Sequence, residues 1–299
     1  MNEFNLIEWI QKKAGRVPPG WIGIGDDAAL IRFAQAGNCV ISTDTLVEGV
    51  DFNYRVTPEQ AGRKALAINL SDMAAMGAIP SAFLMTLGVP QSWKLAKLKK
   101  FLNGVFCLAK SAQTVCIGGD ISSARQFFCS ITILGKPSRA GAILRKGAKA
   151  GDFVFVTGSF GGSIRHKHYA FTPRVKEAQW LAQNCRPSAM LDVSDGLAQD
   201  LTHLLTASHV CARLDLETIP LSVQAGNLSS ALSDGEDFEL LFTVSSKQAP
   251  RLEKSWKRAF PRVALTCIGR IIPGKPQIRF FKNGIEQKKF YSKPGFRHF

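Results

Sequence analysis

Hydrophobic and polar positions along residues 1–137 follow two different periods, one typical of strands and one typical of helices. Short apolar runs predict five strands, over 28–33, 39–47, 81–89, 114–120 and 127–136. Small and apolar residues at helical spacing predict three helices, over 4–13, 57–77 and 92–112. Thr57 followed by Pro58 is typical of a helix start, because threonine caps the first turn and proline fits the first helical position.

Residues 138–299 continue the alternation of strands and helices. Apolar runs predict strands over 153–159, 189–194, 211–216, 237–244 and 264–272. Helical spacing predicts helices over 174–184, 196–208 and 247–259. A closing hairpin is predicted to turn at Asn283-Gly284, a dipeptide favoured in two-residue turns. The complete pattern is typical of an α/β or α+β protein.

A change in composition separates the two halves of the chain. The stretch 136–152 is rich in glycine, lysine, arginine and small residues, which is typical of a link between domains. The chain of 299 residues is also longer than one hydrophobic core usually holds. We therefore predict an N-terminal α/β domain over 1–137 and a C-terminal α/β domain over 138–299.

The composition excludes several classes of protein. Hydrophobic residues make up 45% and charged residues 20% of the chain, as in ordinary globular proteins. No apolar run approaches the roughly 20 residues of a membrane span, and the first residues do not resemble a signal peptide. The seven cysteines are scattered without a CxxC pair, which predicts reduced thiols. A cytoplasmic protein without a membrane partner is expected.

The formal net charge of +15 raises the question of an anionic partner. Lysines and arginines are spread along the chain, with modest clusters at 94–100 and 286–299. No helix-turn-helix, RNP or zinc-finger pattern accompanies them. The charge is therefore interpreted as solvated surface, and a basic nucleic-acid-binding protein is kept as a lesser alternative.

The aspartates are placed less evenly than the basic residues. Eight of the thirteen lie in short Gly/Ser/Thr-rich stretches next to apolar segments, namely Asp26, Asp27, Asp44, Asp72, Asp120, Asp192, Asp195 and Asp237. One such aspartate is typical of a cap or turn. Several together suggest Mg²⁺, which prefers carboxylate oxygens and shares its other positions with water and phosphate. Asp72 stands out because it falls inside a predicted helix, where a buried, unpartnered carboxylate is costly.

Other familiar catalytic patterns are missing from the sequence. It contains no GxxxxGK[ST], no HRD and DFG series, no GxSxG and no HExxH. His166 and His168 flank Lys167 in a predicted loop. A metal-binding pair is one interpretation of these histidines, and a pair on the protein surface is the favoured one.

Seven segments form a joint pattern that is far more specific than any one of them. They are GIGDDAA, ISTDTLVEGVDF, KALAINLSDMAAMGAIP, IGGD, LRKGAKAGDFVFVTG, DVSDGLAQDL and SDGEDFELLF. Their order and spacing resemble the thiamine-monophosphate kinases, a family related to aminoimidazole-ribonucleotide synthetase and selenophosphate synthetase. The resemblance implies phosphorylation of thiamine monophosphate by ATP. It also implies a homodimer whose N-terminal sheets pair, with ATP and several Mg²⁺ ions in a cleft between the domains.

The resemblance further implies site residues at the matching positions of this chain. Metal ligands are implied at Asp27, Ser42, Thr43, Asp44, Asp72, Asp120, Asp192 and Asp195. Nucleotide contacts are implied at Gly119, Asp120, Arg145 and Ser194. Substrate contacts are implied at Asp51, Glu236 and Phe296. Catalysis is expected to depend on Asp44, Asp120, Arg145 and Asp195.

The chain departs from the family pattern at three places. Asp51 stands where some relatives have histidine, Phe296 stands where tyrosine is common, and the basic loop 158–180 is shorter than in many relatives. The main alternative is another ATP-dependent enzyme of the same superfamily. Selenophosphate synthetases usually carry a reactive cysteine or selenocysteine near the N-terminus, and the hydrogenase-maturation relatives end in a cysteine tail; this sequence shows neither feature.

Overall fold

The first half of the protein forms a five-stranded sheet with the order β1-β2-β5-β3-β4. The computed structural model describes residues 3–13, 18–33, 37–165 and 167–288. The five strands are Ala29–Phe33 (β1), Gly37–Val47 (β2), Ile79–Val89 (β3), Val115–Ser123 (β4) and Phe128–Lys136 (β5). Strands β3 and β4 are parallel, and the other neighbours are antiparallel. Because β4 is last in the strand order, it lies at one edge of the sheet.

Three helices belong to this half, namely Glu3–Lys13 (α1), Pro58–Ala75 (α2) and Leu95–Ser111 (α3). Helix α2 starts with the predicted cap, because the Thr57 hydroxyl accepts from the Gln60 amide and the Gln60 side chain accepts from the Thr57 amide. Apolar residues of α2 and α3 share one core with residues of the sheet such as Phe83 and Ile131. This core holds α2 firmly against the sheet.

Helices α2 and α3 approach each other closely because each has a glycine at the contact. A Cβ atom added at Gly62 would lie 1.9 Å from the carbonyl oxygen of Phe101. A Cβ atom added at Gly104 would lie 2.0 Å from the carbonyl oxygen of Glu59. Both contacts are with backbone atoms, so the two helices can pack at this distance only without side chains there.

The second half forms a seven-stranded sheet with the order β12-β11-β8-β10-β6-β9-β7. Its strands are Phe153–Thr157 (β6), Ala189–Asp192 (β7), Cys211–Asp215 (β8), Leu240–Val244 (β9), Leu265–Ile272 (β10), Gln277–Lys282 (β11) and Ile285–Glu286 (β12). Its helices are Lys167–Ala170 (α4), Val175–Asn184 (α5), Leu197–Ser208 (α6), Leu228–Ser233 (α7) and Ala249–Ala259 (α8). Short 3-10 helices span Ser163–Arg165 and Leu216–Thr218.

Two cores lie against this second sheet. Helix α6 contributes Leu201 and Leu204 to one core, and helices α5 and α8 contribute Leu181 and Trp256 to the other. Ala74, near the end of helix α2, belongs to the core of α5 and α8. Helix α2 thus packs on both halves of the molecule and places its last turn between them.

The predicted strands and helices are confirmed in their order, but helices α4 and α7 lie where loops were predicted, and one strand begins later than predicted. The closing hairpin turns at Asn283 and Gly284, with φ angles of 49° and 76°. The predicted strand 237–244 begins only at Leu240, because Glu236 and Phe238 have φ angles of 54° and 50°, which no strand allows. Among the described residues, no helix is long and apolar enough to cross a membrane.

The two sheets are separated by the predicted linker. The first sheet ends at Lys136 and the second begins at Phe153. The division into domains 1–137 and 138–299 stays a prediction, since helix α2 packs on both halves. All seven cysteines are free; Cys129, Cys185 and Cys211 are buried, whereas Cys107 is exposed.

Candidate functional site

Three aspartates from separate parts of the chain converge where the two halves meet. Asp27 lies in the turn before β1, Asp72 in the last turn of α2, and Asp192 at the end of β7. Carboxylate oxygens of all three lie within 4.8 Å of one another. We call these residues the carboxylate cluster. Its members come from both halves, so the complete fold is required to form it.

Burial and mutual repulsion make the ionised form of this cluster costly. Burial raises the pKa of Asp72 well above its usual range, and the charges of Asp44 and Asp192 raise it further. Burial, followed by the charge of Asp27, raises the pKa of Asp192 to about 7. Hydroxyl groups offset part of this cost, since Ser42 contacts Asp72 and Ser71 donates to Asp192. A divalent cation would remove the remaining repulsion.

Arg145, in the link between the sheets, supplies positive charge to one side of the cluster. Its Nε and Nη2 atoms donate to the two oxygens of Asp27 at 3.1 and 2.8 Å. Burial alone would lower the pKa of Arg145, but the charge and hydrogen bonds of Asp27 raise it. The Arg145 amide donates to Asp26. Burial and the charge of Asp27 raise the pKa of Asp26 to about 6. Arg145, predicted to contact the nucleotide, is thus paired with a predicted metal ligand.

A cavity of about 180 Å³ opens beside the cluster. We call it the carboxylate cavity; its lining includes Asp44, Asp51, Lys64, Asp72, Asp192, Ser194, Asp195, Glu236 and Phe238. Asp195, Asp200 and His203 also bring ligand atoms within 4.8 Å of one another. Asp200 accepts from the amides of Asp195 and Gly196, both at 3.0 Å, so it shapes the turn that precedes helix α6.

A second and larger cavity of about 450 Å³ adjoins the first. We call it the large cavity; it is lined by Gly49, Val50, Asp51, Phe52, Asn53, Arg55, Val56, Ile164, Arg165, His168, Tyr169 and Glu236. Asp51 and Glu236, two of the predicted substrate contacts, line both cavities. The Asp51 carboxylate accepts from the Val47 amide at 2.7 Å, which anchors it to the end of β2. A small molecule in the large cavity would therefore contact Asp51 and Glu236 where this cavity adjoins the carboxylate cavity.

Glu236 is held in a buried polar network that the sequence did not reveal. Lys64 contacts one of its oxygens, and the Nδ1 atom of His168 lies 3.0 Å from the other. Burial would raise the pKa of Glu236, but the hydrogen bond with His168 and the charge of Lys64 outweigh it and lower the pKa. His168 is buried, so its predicted surface position was wrong. His166 lies outside the described residues.

Several predicted site residues lie away from the cluster. The Thr43 hydroxyl donates to the Ile131 carbonyl, and Thr43 points to the opposite face of β2 from Ser42 and Asp44. Gly119 and Asp120 lie on the edge strand β4. Because β5 and β3 stand between β2 and β4, Asp120 is about 14 Å from β2, or three strand spacings. Phe296 falls outside the described residues.

The donor set of the cluster suits a hard cation such as Mg²⁺. Carboxylate and hydroxyl oxygens predominate, and they converge from several elements that hold them rigidly. The residues that sequence reasoning missed are Lys64 and Ser71, and the position of His168 was predicted wrongly. The buried position of Lys64 could have been predicted, because a lysine in the apolar helical stretch KALAINL requires a buried partner.

Comparison with known proteins shows similarity over the whole chain. Residues 25–136 match the family model described as AIR synthase related protein, N-terminal domain. The chain is 34% identical to the thiamine-monophosphate kinase of Buchnera aphidicola subsp. Schizaphis graminum, over 100% of this chain and 99% of that protein. It is 33% identical to the thiamine-monophosphate kinase of Bacillus subtilis, over 100% of both chains.

Solved structures show the same similarity. The structure described as AaThiL complexed with AMPPCP and TMP matches with a TM-score of 0.83 and 29% identity, covering 100% of this chain and 97% of that one. Thiamine-monophosphate kinase from Stenotrophomonas maltophilia matches with a TM-score of 0.74 and 32% identity, covering 95% and 97%. A HypE-HypF complex at 18% identity and a TM-score of 0.75 shares the fold alone.

Proposed function

Because the chain belongs to the thiamine-monophosphate kinase family, we propose that it transfers the γ-phosphate of ATP directly to thiamine monophosphate, aided by several Mg²⁺ ions. The protein is an enzyme, a kinase. The observation that carries the specific reaction is the adjacency of the carboxylate cluster to the large cavity, with Asp51 and Glu236 lining both spaces. In this proposal the ATP phosphates occupy the carboxylate cavity, and the thiamine moiety occupies the large cavity.

Charge neutralisation is the main requirement of this reaction. Both reactants are anionic, and the acceptor phosphate is already ionised at neutral pH, so no side chain has to remove a proton. Phosphoryl transfer depends mostly on positioning and electrostatic stabilisation. Mg²⁺ bound by the aspartates would neutralise the phosphate oxygens of both reactants. The absence of a histidine base from the sequence motifs is consistent with this chemistry.

The protein's own residues supply rigidity and further charge. Asp27, Asp72 and Asp192 are held at fixed positions by the start of β1, helix α2 and strand β7. Asp44 and Asp195 extend the acidic lining of the carboxylate cavity as further metal ligands. Arg145 would contact a phosphate once metal ions satisfy Asp27. Ser194, at the turn before α6, faces the same space and is proposed as a nucleotide contact.

A dimer interface would account for the position of Gly119 and Asp120 on an edge strand. Strand β4 is an edge strand, and its residues Val115, Ile117 and Ile121 are between 59% and 67% exposed. An exposed apolar edge strand is unfavourable in a monomer. We therefore propose a homodimer in which β4 is covered by a second copy, with Gly119 and Asp120 near the shared boundary. A cytoplasmic location, where ATP is available, is part of the same proposal.

The direct test is formation of thiamine diphosphate from ATP, Mg²⁺ and thiamine monophosphate by the purified protein, measured by chromatography. We expect turnover that EDTA abolishes and added Mg²⁺ restores. The variant Asp215→Asn, which changes an aspartate paired with Arg213 away from both cavities, should retain wild-type activity. Full turnover in EDTA would contradict the metal-assisted mechanism. No thiamine diphosphate, together with a thermal shift on RNA addition only, would instead favour the nucleic-acid-binding alternative.

A further inference from the structure

Glu236 is one of the two carboxylates, with Asp51, that stand between the two cavities. It lines both of them, and its side chain is 20% exposed, so part of it is available to a bound molecule. Its amide donates to the Ser194 carbonyl at 2.6 Å, and its φ angle of 54° turns the side chain away from the path of a strand. The backbone thus fixes the direction in which the carboxylate points.

Lys64 and His168 hold the two oxygens of this carboxylate. The Lys64 side chain is 1% exposed, and its Nζ atom donates to the Asp51 carbonyl at 3.0 Å as well as to Glu236. The Nδ1 atom of His168 lies 2.9 Å from Lys64 Nζ and 3.0 Å from Glu236. All four groups form one buried network, so removing either Lys64 or His168 frees one oxygen of Glu236.

The segment that carries His168 is tied to helix α2. Arg63, the neighbour of Lys64, donates from its guanidinium to the carbonyls of Tyr169 and Phe171. The rings of His168 and Tyr169 lie 4.3 Å apart, and both residues line the large cavity. A shift of this segment would therefore move the wall of the cavity and the Glu236 carboxylate together.

We propose that Lys64 and His168 are positioning residues that hold the Glu236 carboxylate and aim it at the positively charged ring of the acceptor. This inference rests on the proposed function, in which thiamine monophosphate occupies the large cavity. Arg55 and Arg165 also line that cavity and would repel a cationic ring. Lys64 pairs with Glu236 from its buried side, and the fixed Glu236 carboxylate together with that of Asp51 offsets the repulsion on the cavity side, so these residues favour a charged ring over a neutral ring of equal size.

Steady-state kinetics of His168→Leu and Lys64→Met test the role of the two residues. We expect the KM for thiamine monophosphate to rise about 10- to 100-fold, while kcat and the KM for ATP change less than about threefold. His168→Asn, whose amide can take the place of Nδ1, should recover most of the loss. His209→Asn, an exposed histidine with φ 55° at the end of α6, is the matched control and should behave as wild type. An unchanged KM for thiamine monophosphate, or an equal rise for ATP, would overturn the inference.

A double-mutant cycle separates positioning from general loss of structure. If His168 acts through Glu236, adding His168→Leu to Glu236→Gln should raise the KM for thiamine monophosphate by less than about twofold. Independent, multiplicative effects of the two substitutions would overturn the inference.

A third experiment needs only the wild type. An analogue of thiamine monophosphate with an uncharged thiophene in place of the thiazolium should be phosphorylated with kcat/KM at least about tenfold lower. Equal kcat/KM values for thiamine monophosphate and the thiophene analogue would overturn the inference but leave the proposed function intact. A wild type that does not phosphorylate thiamine monophosphate would refute the proposed function and the inference with it.

Discussion

At the scale of single residues, the structure places a carboxylate where three effects oppose its charge. Asp72 is partly buried, it lies near Asp44 and Asp192, and it stands in the last turn of helix α2, where the helix dipole disfavours an anion. Such a residue costs stability in the metal-free protein. Its position is reasonable only if a cation supplied from outside removes the repulsion, which is the role that the proposed function gives to Mg²⁺.

The variant Asp72→Asn should separate stability from metal binding. In metal-free buffer at pH 8, where the ionised carboxyl is most costly, we expect its Tm to equal the wild-type value or to exceed it by about 2–4 °C. Addition of Mg²⁺ should raise the Tm of the wild type and of Asp215→Asn, and leave that of Asp72→Asn unchanged. A wild-type Mg²⁺ shift in Asp72→Asn, measured by differential scanning fluorimetry, would remove Asp72 from the proposed ligands.

Asp44→Asn and Asp120→Asn should each reduce kcat by more than about 100-fold, because Asp44 lines the carboxylate cavity as a proposed metal ligand and Asp120 is the metal ligand that the proposed dimer would supply. In metal-free buffer Asp120→Asn should keep the wild-type Tm, and Asp44→Asn should equal or exceed it, because the Asp44 charge opposes that of Asp72. Kinetics and thermal melts of the same preparations check the two statements together. Wild-type turnover in either variant would exclude that residue from the catalytic set.

At the scale of elements, close contacts and buried ion pairs decide where each side chain of the site stands. Helix α2 carries Lys64 and Asp72 into the carboxylate cavity, and Gly62 and Gly104 set its distance from helix α3. On the other half, Arg174 at the start of α5 pairs with Glu239, the residue directly before β9. Both arrangements hold elements of the site by contacts far from the reacting groups.

Gly104→Ala should destabilise the protein although alanine normally favours a helix. The added Cβ would lie 2.0 Å from the Glu59 carbonyl, so helices α2 and α3 would have to move apart. We expect a loss of about 1–3 kcal/mol in the free energy of unfolding, measured by urea denaturation. The control Asn103→Ala, at the neighbouring exposed position of α3, should be neutral or slightly stabilising. Stabilisation by Gly104→Ala would show that the helices are not in contact there.

Glu239→Gln should produce a pH-dependent loss of stability. Burial would raise the pKa of Glu239, but the hydrogen bond with Arg174 and the charge of Lys167 outweigh it and lower the pKa. A lowered carboxyl pKa stabilises the fold above the unfolded pKa, and this contribution disappears as pH falls through the folded pKa. We therefore expect a loss of about 3 kcal/mol at pH 7 that diminishes below about pH 4.

The exposed pair of Glu286 and Arg279 provides the control for Glu239→Gln. It has the same two-bond geometry, with distances of 2.6 and 2.7 Å, but it is open to solvent. Glu286→Gln should change the denaturation midpoint little at any pH. Equal effects of the two substitutions would show that burial does not strengthen the Glu239 pair.

At the scale of the whole molecule, a strongly basic chain surrounds an acidic centre. The net charge of +15 attracts anionic reactants, while the carboxylate cluster requires cations at the point where those reactants meet. Both halves of the chain contribute residues to that centre. The exposed apolar edge at β4 is the surface that the proposed dimer would cover with a second copy of the chain.

The proposed dimer predicts the outcome of a charge introduced into strand β4. Ile117→Asp should convert a dimer into a monomer, as measured by sedimentation velocity, because a charge at a buried apolar interface is costly. Ile285→Asp, at another exposed isoleucine in strand β12, is the control and should leave the dimer intact. A monomeric wild type, or a dimeric Ile117→Asp, would contradict pairing through β4.

The sequence by itself determined the order of strands and helices, the cap at Thr57 and the closing turn, because each depends on local periodicity and local backbone preference. It also determined the family, because the seven segments match jointly. Only the tertiary structure decided that Asp27, Asp72 and Asp192 meet, since their elements are far apart along the chain. The buried network of Lys64, His168 and Glu236 likewise depends on contacts across more than a hundred residues, which no local pattern encodes.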